Sequence, residues 1–202
     1  MSYFASLFTD SAKSLKSVNK LTTIALLTAC AVAISFIKIP VGTPNLQIRF
    51  DFIFIALVGW LFGPVGCVIS AVVSDVAGYM INPLGGAFFI GYTIAKAVAA
   101  LIYGLCLYKK SQVPESFVKW TILAKALVSL LVNIIANSYC QILQGAATYQ
   151  SMFAGLIQLR VSKNLILLPL EIIVLFYVMR AIRPYASKLR LLDGVNNDGA
   201  RS

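Results

Sequence analysis

Four ionisable side chains, Asp75, Lys96, Lys125 and Glu171, fall inside long apolar stretches. A charge there is costly and marks either a paired contact or a solute or proton site. Asp75 and Lys96 lie deep enough in their stretches that the two could pair, whereas Lys125 sits near one end, where a lysine stem can snorkel to the interface. More polar groups gather at the stretch ends that share one side: Arg49 and Asp51, Asn82, Tyr92, and then Arg160, Lys163 and Asn164. Asn133, Asn137 and Gln141 recur at helical spacing, with Ser138 and Tyr139 beside them. Polar side chains at such spacing can simply join helices, but several polar, aromatic and basic groups converging near one face fit a small-molecule pocket. For an anionic ligand, the guanidinium of Arg160 or Arg49 is the natural partner of a carboxylate through two parallel hydrogen bonds. Tyr92, Tyr139 and Trp60 offer stacking surface, or anchors at the membrane boundary.

Other chemistries are excluded by what the chain lacks. There is no histidine, which removes the commonest general base and transition-metal ligand. The seven acids are scattered, so no metal site and no cofactor are expected. The four cysteines stand singly in apolar stretches and form no disulfide framework. No G-x-x-x-x-G-K-[ST] loop is present. An intramembrane hydrolase and an ATPase are both disfavoured, and the chain reads as no enzyme.

The elements that must position these groups are set by composition. Of 202 residues, 59% are hydrophobic and 12% charged, and mean hydropathy is +0.86, which excludes an ordinary soluble domain. A membrane-crossing helix takes about 20 residues. The apolar runs predict an all-α integral membrane protein with six transmembrane helices in a compact bundle, over residues 21–39, 48–62, 65–81, 87–108, 120–143 and 165–179. The second is short for a span, and Gly63-Pro64 turns the chain before the third. Residues 1–20 read as a basic leader, 21–184 as the membrane domain and 185–202 as a solvated basic tail. The outer connections at Pro40-Val41-Gly42-Thr43-Pro44 and Pro83-Leu84-Gly85-Gly86 read as irregular lid loops. With both termini cytoplasmic, 11 of 17 basic residues fall inside, which accounts for the +10 charge through anionic lipid and without nucleic acid.

In lipid, small residues spaced by four let helix backbones approach. Gly66, Ser70, Ser74 and Gly78 make one such stripe, and Gly91, Ala95 and Ala99 a second, both expected inside the bundle. A third, Ala25, Ala29 and Ala33, lies on the first span, at the bundle's edge, and could face another protein.

The run Ile48-Arg49-Phe50-Asp51-Phe52 through Leu61-Phe62-Gly63-Pro64, then Asp75 and Gly78, then Asn82 to Thr93 and Ile102-Tyr103-Gly104, resembles the S components of energy-coupling factor (ECF) vitamin importers, especially the folate-type group. The likeness extends to Arg160, Lys163, Asn164 and Pro169 and covers residues 21–184. It implies a bacterial plasma-membrane subunit that captures a water-soluble vitamin from outside. It also implies association with a membrane scaffold (T) subunit and two cytoplasmic ATPases, with Ala25, Ala29 and Ala33 in the family's scaffold-contact motif. Within the folate-type pattern, Ile90 and Tyr92 replace Pro and Phe, and Asn137-Ser138-Tyr139-Cys140 stands where Asn-Thr-x-Trp is usual. Folate, pantothenate, pyridoxine and a hydroxymethylpyrimidine-type precursor are the ligands the resemblance leaves open. A stand-alone proton-coupled carrier, using Asp75 and Glu171, is the competing function.

Overall fold

The apolar runs form helices in a computed structural model that describes residues 2–41, 43–81, 88–109, 114–144 and 153–188. In chain order these are α1 (Ser2–Ser14), α2 (Val18–Ser35), a hairpin of β1 (Lys38–Val41) and β2 (Thr43–Arg49), then α3 (Phe52–Ile81) and α4 (Ile90–Leu107). α5 (Pro114–Leu127) continues through a π-helical segment (Val128–Ala136) into α6 (Asn137–Gln144), and α7 (Phe153–Lys188) follows. Five stretches are long and apolar enough to cross a membrane: Val18–Ser35, Phe52–Ile81, Ile90–Leu107, Phe117–Leu143 and Arg160–Ala186.

The thirty-residue α3 forms two antiparallel limbs, in place of the second and third expected spans, because it folds back at Gly63. Cys67 Sγ donates to the Ile55 carbonyl at 3.2 Å. In a straight helix those residues would be about 18 Å apart along the axis. The fold-back needs Gly63, whose φ of 82° and ψ of −170° suit only glycine, and Pro64, which cannot continue the preceding helix. Residues 52–62 therefore rise only about 16 Å, roughly half the hydrocarbon thickness. The short limb carries Asp51 to mid-depth of the bundle.

The bundle has a hairpin end and an elbow end. The elbow is sealed by α1, which the sequence presented only as a basic leader. Breaking the helix at Gly63-Pro64 frees the Phe62 carbonyl and the Val65 N–H. Ser11 satisfies both: its hydroxyl donates to Phe62 O at 2.6 Å and accepts from Val65 N at 3.0 Å. A buried polar group left unpaired costs about 1–3 kcal/mol. Ser11→Ala should lower stability by that amount in a thermal unfolding assay in detergent, and an unchanged melting temperature would contradict this role. Lys109, which follows α4 in the left-handed conformation common at helix ends, holds α1 from the other side through Asp10, 2.6 Å away. That ammonium keeps the Asp10 carboxyl below the usual carboxylate range. α4 crosses the elbow at Gly104, where an added Cβ would collide with Pro64 Cα.

The small-residue stripe of α3 faces α2: the hydroxyls of Thr28 and Ser70 share a 2.7 Å hydrogen bond, and Gly66 and Gly78 lie against Ile24 and Ser35. α2 buries Ile24, Thr28, Ala31 and Ser35, while Ala25, Ala29 and Ala33 are exposed on its other side. The core is filled by Trp60, Phe62, Tyr103, Leu107, Leu175 and Met179.

Besides α1, the structure differs from expectation in three places. Pro40 and Thr43 belong to an antiparallel hairpin with a bulge at Pro40/Val41, where an irregular loop was expected. The last helix runs from 153 to 188, because Pro169 and Pro184 are accommodated within it and Gln158 and its neighbours are helical. Trp60 is no stacking surface: it is fully buried at the elbow end, edge-on to Phe117 at 6.2 Å.

Candidate functional site

Chain direction brings the end of α2, the hairpin, the end of α3, the start of α4, the end of α6 and the start of α7 to one end of the bundle. Asp75 and Lys96 each lie six residues in from α3 and α4 termini at that end, about 9 Å deep. The two groups are therefore level. Asp51, in the turn that opens α3, has its backbone carbonyl bonded to Ile55 N, and its side chain is buried.

These groups form one charged cluster. Lys96 Nζ is 3.0 Å from Asp51 Oδ2 and 3.8 Å from Asp75 Oδ1. The expected pairing of Asp75 with Lys96 exists, yet it is the longer of two contacts. Thr93 Oγ1 donates to Asp75 Oδ2 at 2.7 Å, and Arg49 Nη2, from the last residue of β2, donates to Asp51 Oδ2 at 3.0 Å. Two cations and two carboxylates balance.

A second cluster is built differently. Arg160 Nη2 donates to Gln141 Oε1 at 2.6 Å and Nη1 to the Asn133 carbonyl at 3.3 Å. Asn164 Nδ2 donates to Arg160 O at 2.8 Å, one turn back on α7, and Asn133 Nδ2 donates to Asn164 Oδ1 at 3.3 Å. Among the described residues every acceptor of the guanidinium is neutral, and no carboxylate pairs with it. A π-helix carries i to i+5 bonds, as from Asn137 N to Val132 O, and such segments recur at functional sites. Here the widened turn presents the Asn133 carbonyl to Arg160.

The structure gathers most of the sequence-derived site residues and separates a few. Arg49 and Lys96 join the charged cluster; Asn133, Arg160 and Asn164 join the second. Tyr92 packs edge-on to Phe89 at 5.7 Å and lies within electrostatic range of Arg160. Lys163 is half-buried beside Asn164 on α7. Asn137, at the end of the π segment, makes no side-chain hydrogen bond among the described residues. Tyr139 is 62% exposed; its neighbour Cys140 is buried against Gly91. Asn82 and residues 83–86 lie outside the described residues. Asp51, Gln141 and Thr93 belong to the clusters as well. Asp51 was legible as the acid two residues after Arg49, and Gln141 as the third member of the polar stripe.

Lys125 does not snorkel. It is 1% exposed, 3.1 Å from Glu171 Oε2, because the helix it sits on is packed against α7 at that depth.

The comparisons with known proteins agree with this architecture. Residues 15–183 match the family model described as "ECF-type riboflavin transporter, S component". A folate transporter FolT of Clostridium novyi (strain NT) is 37% identical over 137 residues, 67% of this chain and 74% of that protein. FolT of Leuconostoc mesenteroides subsp. mesenteroides is 32% identical over 145 residues, 70% of this chain and 75% of its own length. The crystal structure of FolT bound with folic acid superposes with a TM-score of 0.68 at 32% identity, covering 79% of this chain and 90% of that one. Helical passes, a polar end and a match over most of the chain lead to one assignment: this multi-pass membrane protein belongs to the S-component family of ECF-type transporters.

Proposed function

We propose that the chain is the substrate-binding S component of a folate importer, taking up a folate-type vitamin at its hairpin end for ATP-driven transport by a membrane scaffold subunit and two cytoplasmic ATPases. The carrying observation is Arg160, a half-buried cation held, among the described residues, by neutral acceptors only. A charge left in such surroundings favours an anionic ligand, and folate ends in a glutamate with two carboxylates. The FolT relatives and the folic-acid-bound neighbour support folate among the candidate vitamins. In this reading the hairpin end faces outward and both termini are cytoplasmic, as the distribution of Lys and Arg favours. The proton-carrier alternative loses its motive, since Asp75 and Glu171 both lie beside lysines.

Native mass spectrometry of the purified protein tests the ligand. A retained folate mass is expected, since a Kd near 1 nM corresponds to about 12 kcal/mol and survives purification; retention of a different vitamin would reject folate.

The exposed face of α2 supports the scaffold contact, because small side chains admit a partner helix at close range. Ala29→Leu should reduce copurification with the scaffold subunit at least severalfold while leaving ligand affinity unchanged. Undiminished copurification would remove α2 from that interface.

A further inference from the structure

One buried cation has no place in the two clusters above. Lys125 Nζ on α5 lies 3.1 Å from Glu171 Oε2 on α7, 3.4 Å from the Tyr103 hydroxyl on α4, and 3.5 Å from the centroid of the Phe52 ring at the start of α3. A single ammonium thus joins four helices, and it is 1% exposed. A lysine held so deep costs desolvation that the Glu171 pair repays only with good geometry. The Phe52 ring is the telling member of the set. An ammonium at that distance over a ring face, shielded from water, is a strong cation–π contact, and Phe52 is the residue next to Asp51. Asp51 is in turn the carboxylate that meets both Arg49 and Lys96. Backbone bonds from Ile53 N to Phe50 O and from Ile55 N to Asp51 O close the first turn of α3, but they are local to the limb, so where that turn sits in the bundle is set by what its side chains meet.

We propose that Lys125, held by Glu171, is a positioning residue for the vitamin site: by clamping the Phe52 ring it fixes the first turn of α3 and so keeps Asp51 aimed at Arg49 and Lys96. The inference rests on the reading of the hairpin-end clusters as the binding site. It differs from a purely structural ion pair in one respect. A structural pair can be replaced by apolar residues at no cost to binding, whereas a clamp cannot.

The test uses the full-length protein in detergent and three variants, with folic acid affinity and melting temperature read together. Lys125→Met/Glu171→Leu removes both charges and leaves neither orphaned. It should keep the melting temperature near that of the parent and weaken folic acid binding about tenfold. Phe52→Leu keeps the ion pair and removes the ring; it should weaken binding to a similar extent. Lys125→Arg retains a cation for both partners and should restore most of the affinity. Parent affinity in the double variant or in Phe52→Leu overturns the clamp. If the double variant does not fold, Phe52→Leu and Lys125→Arg decide the matter alone. Failure of the parent protein itself to bind folic acid would instead reject the folate reading; the clamp is then read from cysteine labelling at Asp51→Cys, which Phe52→Leu should accelerate and an idle ring would not.

Discussion

Arg160→Gln should bind folic acid about a hundredfold more weakly than the parent chain while unfolding at nearly the same temperature. The guanidinium donates to Gln141 Oε1 and to the Asn133 carbonyl, both neutral. A glutamine amide can still donate to one of them, so the junction of α6, α7 and the π segment keeps a hydrogen bond and sheds a desolvated charge. What it loses is the charge-assisted contact with a ligand carboxylate. Hydrogen bonds to charged groups are worth about 1.5–3 kcal/mol, and the upper end of that range is a hundredfold. Arg160→Lys should fall between, since an ammonium keeps the charge and gives up the planar fork. Isothermal titration of all three proteins checks the order. Equal affinities would show that the anion is held elsewhere, with Arg49 the next group to examine.

Lys96→Met has the opposite profile and should damage the fold first. Lys96 Nζ sits between Asp51 and Asp75, at 3.0 and 3.8 Å. Without it, among the described residues, Asp51 keeps only the more exposed Arg49, and Asp75 keeps one neutral hydrogen bond from Thr93. Removing one member of a buried ion pair costs about 3–5 kcal/mol, because the other charge stays buried and uncompensated. That is a large share of the 5–15 kcal/mol that holds a typical domain together. The expected result is a sharply lowered melting temperature or no monodisperse protein on size exclusion. Lys96→Met/Asp75→Asn, which removes one charge of each sign, should recover much of the loss. If the single variant melts like the parent, the cluster is solvated and its electrostatic role is overstated.

The passes were legible in the sequence because lipid imposes a simple requirement: long apolar runs, ended by Gly, Pro or charge. Gly63-Pro64 marked the turn between the second and third, and the structure makes it the elbow of α3. α1 was not legible. Its sequence is only weakly apolar, and what fixes it is a hydroxyl from Ser11 reaching two backbone groups more than fifty residues away. Lys125 was misjudged for a related reason. Distance from a helix end says how far a lysine could reach, but the Glu171 and Phe52 that hold it come from other helices. At the site, residue type singled out Arg160, Asn133 and Lys96, and the structure places each beside polar partners, since charged groups at membrane depth have few other places to go. The regular spacing of Asn133, Asn137 and Gln141 implied an unbroken α-helix, and the π segment that ends at Ala136 was not visible in composition.

Equilibrium binding of folic acid to this single polypeptide, reconstituted in vesicles without any partner, is the most direct test of the account. Saturable binding of one folic acid per chain, with no accumulation inside the vesicles under a pH gradient, is the expected result. Absence of binding, or uphill uptake by the lone chain, would contradict it.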